Sequence, residues 1–269
     1  MKQIPNFFTL LNLLFGCIAI VFILQTGQSI VILNEQNGTY DPFFPEKLAW
    51  GALFIFLAAV VDFFDGFFAR LFNASTAMGK QLDSLSDVVS FGVAPGLILY
   101  QLLRLGYAQD EGGLDVTFAA LLPAFIFPCA VAWRLAKYNI STNQADYFIG
   151  VPSPAAALVI ASFPLIIWNE YFQLQAYFIN VWLLYAVIVL LSFLMLSNGT
   201  FLAIKIKDLS VKNNIPKYLL IILSIVSALF LKWLAVPIIF ILYVVLSKFS
   251  NVPTQIVETT NRETLDVTV

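Results

Sequence analysis

Asp62, Asp65, Asp83 and Asp87 lie in DFFDGFFARLFNASTAMGKQLDSLSD, four carboxylates with two glycines and an arginine inside or beside stretches as apolar as a lipid tail. A carboxylate at mid-bilayer depth costs roughly 2.5 kcal/mol or more on insertion scales, so four of them must face a protected polar cavity. At about 100° per helical residue, Asp62, Asp65, Gly66 and Ala69 fall within one stripe about 100° wide, and Phe63, Phe64, Phe67 and Phe68 cover the opposite side. The same projection aligns Gly79, Asp83, Ser86, Asp87 and Ser90, with Leu82, Leu85 and Val89 turned away. Two acidic stripes therefore meet across a short turn, Asn73–Ala77.

Four carboxylates gathered in one cavity repel unless something positive sits between them, and divalent cations are the simplest answer. The chain has no His, and Cys17 and Cys129 are far apart in sequence, so a zinc site of the usual nitrogen and sulfur kind has no obvious ligands. All-oxygen coordination favours Mg²⁺, Mn²⁺ or Ca²⁺. From residue types alone, a structural ion-pair network or an ion pathway through the membrane competes with a catalytic metal site.

The spacing adds a resemblance. Asp62, Asp65, Gly66, Ala69, Arg70, Gly79, Asp83 and Asp87 fit DxxDGxxARx8GxxxDxxxD without a mismatch, and the chain thereby resembles the CDP-alcohol phosphotransferase family. The resemblance implies an integral membrane enzyme with a six-helix core. Such an enzyme moves a substituted phosphoryl group from a CDP-linked donor to an alcohol and releases CMP. It implies a two-ion Mg²⁺ or Mn²⁺ site held by Asp62, Asp65 and Asp83, with Asp87 nearest the incoming alcohol as ligand or general base, and it implies a homodimer. LDSLSDVVSFGVAPG (Leu82–Gly96), WRLAKYN (Trp133–Asn139), GVPSPAAA (Gly150–Ala157) and the opening IPNxxTxxN look like the integral-membrane CDP-diacylglycerol–serine O-phosphatidyltransferases, over roughly residues 4–160. The implied substrates are CDP-diacylglycerol and L-serine. LSNGTFLAIKIKDLS departs from the short serine- and lysine-bearing loop of that group.

The remaining site expectations come from side-chain chemistry. Gly66, Ala69 and Gly79 lack bulk, so a nucleotide can lie against the helix backbones, and Arg70 offers a charge-assisted contact to phosphate. Asn12 is a candidate for the donor pocket, or a polar helix-packing residue. A zwitterionic acceptor needs a cation for its carboxylate. Arg134 and Lys137, one turn apart, are candidates, with Asn139 and Ser153 as polar neighbours.

These residues need a membrane scaffold to hold them. Hydrophobic residues make up 60% of the 269, charged residues 11%, and the mean hydropathy is +0.88, which marks an all-α polytopic membrane protein in the lipid bilayer. A net charge of −2 gives no support to binding a nucleic acid polymer. Both cysteines read as small buried apolar residues. Lys2 before the apolar run 7–24 suggests a secretory signal, but no small-residue cleavage pattern follows, so the run reads as a retained first helix.

Eight spans are expected: a first ending near Leu24, Leu48–Phe72, Leu82–Leu103 with a bend near Pro95, about Val116–Leu135, Pro152 to about Trp168, Ala176–Leu196, and a hairpin of Tyr218–Leu231 and Leu234–Leu246. Residues 26–45 read as a loop, and Lys137–Val151 as a polar stretch. The expected division is 1–200 as membrane core, 201–249 as a C-terminal transmembrane hairpin and 250–269 as a polar disordered tail. With the N-terminus inside, all of the 14 Lys and Arg except Lys47, Arg104 and Lys232 lie inside. That bias puts both termini and the acidic hairpin on the cytoplasmic side, in a bacterial inner membrane.

Overall fold

The computed structural model describes residues 4–25, 31–34, 39–42, 44–72, 76–109, 116–140, 147–169, 174–202 and 211–248. Apart from two short strand pairs, the described chain is helical, with an all-α polytopic membrane architecture. Helix α1 (Ile4–Leu24) is followed by strands β1 (Val31–Asn34) and β2 (Thr39–Pro42), then α2 (Glu46–Leu71). Helix α3 spans Ala77–Tyr107 and α4 spans Phe118–Ile140. Strand β3 (Tyr147–Ile149) leads to α5 (Ser153–Trp168), the short α6 (Gln175–Phe178), α7 (Val181–Leu196), strand β4 (Thr200–Leu202), α8 (Val211–Leu231) and α9 (Ala235–Lys248).

Five segments are long and apolar enough to cross a membrane: Pro5–Leu24, Glu46–Leu71, α3, α4 and Tyr218–Lys248; α5 and α7 are shorter apolar helices. The last segment is a hairpin rather than one rod. Lys232 adopts φ +49 within a 3₁₀ turn, Lys232–Leu234, which separates α8 from α9. Trp233 within this turn packs on Phe56 of α2, while Tyr243 and Ser247 of α9 return to Leu202 of β4, which precedes α8 in the chain. Counted this way, the described chain has eight apolar helices of 14 residues or more.

Several local expectations need correction. Residues 26–45 hold an antiparallel pair, Val31 opposite Pro42 and Asn34 opposite Thr39, in which β-favouring Val, Ile, Thr and Tyr outweigh the polar composition. The polar stretch 137–151 contains the end of α4 and strand β3, which pairs antiparallel with β4. The sixth span begins later than Ala176. Asn180 interrupts the helix and its Oδ1 accepts from the Leu183 N–H at 3.1 Å, capping α7. Cys17 and Cys129 are exposed, on helix faces that the membrane reading turns toward lipid. The expected tail, 250–269, lies outside the described residues.

The bend expected near Pro95 takes the form of a π-helical turn over Val88–Val93, directly after Asp87. Proline has no N–H to donate and its ring crowds the preceding turn, so a widened turn just upstream relieves both problems. The start of α3 is set by Thr76, whose Oγ1 accepts from the Gly79 N–H at 2.9 Å.

Small residues bring the first three helices together. A side chain at Gly16 would run into Ser90 of α3, and one at Gly51 would meet Ile23 Cγ1 at 2.6 Å and the Ala19 carbonyl at 3.1 Å. This close approach is the small-residue packing that membrane helices use where water supplies no hydrophobic drive. The core then runs through Ala19, Ala52, Ile55, Phe91, Ile98, Leu102, Phe127 and Ile160, while Leu10, Leu14, Val60, Phe63 and Trp182 point outward.

Candidate active site

The acidic stripes of α2 and α3 converge as their spacing requires. One carboxylate oxygen from each of Asp62, Asp83 and Asp87 lies within 4.8 Å of the other two. Asp87 is buried, and Asp62 and Asp83 are half-buried. Asp65, also buried, stands outside this trio but within electrostatic reach of all three. The structure thus brings three of the four expected ligands to one point and sets the fourth beside them.

Asp65 is engaged by α1: Thr9 Oγ1 donates to Asp65 Oδ2 and shares its proton with the Pro5 carbonyl, 3.1 Å away. One turn along α1, Asn12 Nδ2 donates to Asp87 Oδ1 at 3.2 Å. The hydroxyls of Ser86 and Ser90 reach back, donating to the Thr9 and Asn12 carbonyls, each at 3.0 Å. Thr9, Asn12, Ser86 and Ser90 are all buried. Asn12 is already a candidate from the sequence and Thr9 is not, although both stand in the opening IPNxxTxxN, three residues apart on one face of an apolar helix.

A divalent cation fits the trio. The donors are all oxygen, no described lysine or arginine forms a salt bridge with them, and Asn12 Oδ1 is buried without a hydrogen-bond partner beside Asp87. A cluster of three aspartates able to hold a metal ion is therefore present.

The expected donor side is open where it needs to be. A Cβ added at Gly66 would meet nothing within 4 Å, although Gly66 lies on the acidic stripe between α2 residues that touch the site. Ala69 and Gly79 are half-buried, and Arg70 is exposed at the end of α2. A Cβ at Gly79 would meet Asn6 Oδ1 and Thr76 Oγ1, each at 3.0 Å, so its small size also serves the packing of α1 on α3. Phe68, at the edge of the stripe, stacks on Phe8 with centroids 5.0 Å apart, whereas Phe63, Phe64 and Phe67 are exposed.

The four residues expected on the acceptor side separate into two groups. Arg134 Nη1 donates to the fully buried Ser153 Oγ at 2.8 Å, its Nε is buried without a partner, and it lies within electrostatic reach of Asp87. Lys137 and Asn139 instead make ties between elements. Lys137 Nζ donates to Asn198 Oδ1 at 3.0 Å, and Asn139 Nδ2 donates to Ser84 Oγ at 2.7 Å while its carbonyl accepts from Lys80 Nζ at 3.0 Å. Those ties hold the end of α4 against α3 and against the α7–β4 connection.

Comparison with known proteins follows the same lines. The chain is 37% identical over 166 residues, 61% of its own length and 63% of the relative's, to a CDP-diacylglycerol–serine O-phosphatidyltransferase of Helicobacter pylori. It is 40% identical over 113 residues to the Bacillus subtilis enzyme of the same name, covering 41% of this chain and 59% of that one. It is 35% identical over 131 residues to an archaetidylserine synthase of Methanothermobacter thermautotrophicus, covering 48% and 51%. The chain spans about three fifths of the length of the curated relatives it matches first. The sequence profile of the CDP-alcohol phosphatidyltransferases matches residues 2–249, so the carboxylate pattern, the site it builds and nearly the whole length agree: the chain belongs to the CDP-alcohol phosphatidyltransferase family.

Proposed function

We propose that the protein transfers the phosphatidyl group of CDP-diacylglycerol to the hydroxyl of L-serine, giving phosphatidylserine and CMP. The observation that carries this reading is the convergence of Asp62, Asp83 and Asp87 within 4.8 Å, with the half-buried Arg134, whose Nε is buried without a partner, in electrostatic reach of Asp87. Carboxylates alone suit many metal sites; the pairing of a cation cage with one half-buried guanidinium suits an anionic donor and a carboxylate-bearing acceptor.

Asp62, Asp65, Asp83 and Asp87 would hold two divalent ions, Mg²⁺ or Mn²⁺. Once bound, they supply the charge neutralisation that a diphosphate needs as CMP departs. The protein's own residues orient the reactants. Asp87 accepts the serine hydroxyl proton as that oxygen bonds to the diacylglycerol-bearing phosphorus and the bond to the CMP oxygen breaks. Asn12 fixes which way the Asp87 carboxylate faces. Gly66, Ala69 and Gly79 leave room for the nucleotide against the helices, and Arg70 meets a phosphate oxygen at the mouth. Arg134, seated on Ser153, takes the acceptor's carboxylate, with Lys137 and Asn139 fixing the helix that carries it.

The relatives named for serine transfer support the acceptor, and so does the cation count: a phosphorylated acceptor such as glycerol 3-phosphate calls for several clustered cations, and among the described residues Arg134 is the one cation found in electrostatic reach of Asp87. The charge bias supports a cytoplasmic site with both termini on that side of a bacterial inner membrane. Family resemblance supports a homodimer. A membrane transporter built on the same acids would need paired broken helices in two similar halves, and no such internal symmetry is seen in the sequence.

The test is an acceptor screen with radiolabelled CDP-diacylglycerol and purified protein. CMP release is expected with L-serine plus Mg²⁺ or Mn²⁺, and not with glycerol 3-phosphate, inositol phosphate or chelator. Release driven by another alcohol and not by serine overturns the acceptor; ion flux in liposomes without CMP overturns the reaction class.

A further inference from the structure

The hairpin α8–α9 lies beyond the six helices expected to form the core and carries none of the motif residues. Its returning helix nevertheless ends on the backbone that frames Arg134. Tyr243 is buried, and its hydroxyl donates to the Leu202 carbonyl at 3.2 Å. Ser247, one turn on, accepts from the Leu202 N–H at 3.2 Å and donates to the Tyr243 carbonyl at 2.7 Å. One face of α9 thus takes both backbone polar groups of a single β4 residue.

The linkage continues without a gap. Leu202 pairs with Tyr147 and Thr200 with Ile149 across the β3–β4 register. Beyond β3, the Gly150 N–H donates to the Gly199 carbonyl at 2.9 Å and the Val151 N–H to the Leu194 carbonyl at 3.1 Å. Gly150 has φ +69, and a Cβ there would collide with the Met195 carbonyl, so this turn has little slack. Ser153 follows directly and receives the Arg134 hydrogen bond. Arg134 lies within electrostatic reach of Tyr243 as well as Asp87, so the two ends of the linkage meet around one guanidinium.

We infer that Tyr243 is a positioning residue for the acceptor side of the site: through β4, β3 and Ser153 it fixes the seat of Arg134. The inference rests on the reading of Arg134 as the acceptor's partner. It gives the C-terminal hairpin a part in catalysis that its lack of motif residues conceals.

Tyr243→Phe isolates the hydroxyl. The ring keeps its stacking on Phe201, with centroids 6.1 Å apart, and the hairpin keeps Trp233 on Phe56. The full-length variant is assayed for CMP release with acceptor and donor varied in turn. The KM for the acceptor is expected to rise about three- to fivefold, the factor for losing one such hydrogen bond, with the KM for CDP-diacylglycerol unchanged. In a Ser153→Ala background the same substitution is expected to change the acceptor KM by less than about twofold, because partners in one linkage do not add. An unchanged acceptor KM, equal changes in both KM values, a lowered melting temperature alone, or an undiminished effect in the Ser153→Ala background each overturns the inference. If the wild-type enzyme takes an alcohol other than serine, the substrate reading falls, and the comparison is made with the alcohol it takes; the two readings therefore fail separately.

Discussion

Asn12 makes two contacts that a single substitution separates. Its side chain donates to Asp87 Oδ1 at 3.2 Å, and its backbone carbonyl accepts from Ser90 Oγ at 3.0 Å. Asn12→Ala deletes the first and leaves the second. A hydrogen bond to a charged group is worth about 1.5–3 kcal/mol, and each 1.36 kcal/mol is a factor of ten, so turnover should fall roughly 10- to 150-fold if that bond holds Asp87 in its working orientation. Stability should move little, because the substitution also removes Asn12 Oδ1, which is buried without a partner. Ser90→Ala is the complement. It loses an interhelical tie of the kind that averages about 0.6 kcal/mol in membranes and keeps Asp87's partner, so turnover should stay within about threefold of wild type. Steady-state CMP release at saturating donor and acceptor, with detergent melting curves, compares them. Asn12→Ala within twofold of wild type, or Ser90→Ala as damaging as Asn12→Ala, refutes the role given to Asn12. A raised donor KM at unchanged kcat would instead put Asn12 against the nucleotide.

Gly66→Leu should fold as well as wild type or better, since a Cβ there meets no protein atom within 4 Å and leucine is the better helix former, yet it should raise the KM for CDP-diacylglycerol by at least about tenfold. Unchanged donor kinetics would mean that the nucleotide does not lie along this stripe. Asp87→Asn keeps the size of the side chain and loses its capacity to take a proton, so turnover should drop by a factor of about a hundred to ten thousand while circular dichroism reports the same helix content. Retained turnover would remove Asp87 from the proton transfer.

The carboxylates were legible because charge in an apolar helix has so few permitted uses. Helical projection alone put Asp62 with Asp65, and Asp83 with Asp87, on facing stripes, and the structure brings three of them to one point. What projection misses is rotation about the helix axis at a resolution finer than the stripe. Asp65 is one turn from Asp62, yet it turns far enough toward α1 to meet Thr9 and leave the trio. The contacts of α1 were hidden for a different reason. Thr9 and Asn12 declare themselves polar, but which helix they address depends on the close approach at Gly16 and Gly51, a tertiary fact. Lys137 reads as an acceptor candidate because it stands one turn from Arg134, and Asn139 as its polar neighbour; helical spacing does not show that they also tie to Asn198 and Ser84. The strands were obscured by composition, and their pairing across a long stretch of sequence, β3 with β4, has no local signature at all.

The first helix also answers a physical problem that the motif creates. Two neighbouring helices lined with carboxylates repel each other in a medium of low dielectric, and the site must exist before any cation or nucleotide arrives to neutralise it. Helix α1 supplies the restraint: Thr9 donates to Asp65 on α2, Asn12 to Asp87 on α3, and the serines of α3 fasten onto the α1 backbone. The restraint is selective. Asp65 and Asp87 each give up an oxygen lone pair to α1, whereas among the described residues Asp62 and Asp83 make no hydrogen bond and keep both oxygens for what lies between the helices. Two of the carboxylates fix the frame through one oxygen each, and the other two carry no such tie, so hydrogen bonds from α1 oppose the repulsion that would open the site. This preorganisation lets an active site of like charges stand ready in a membrane.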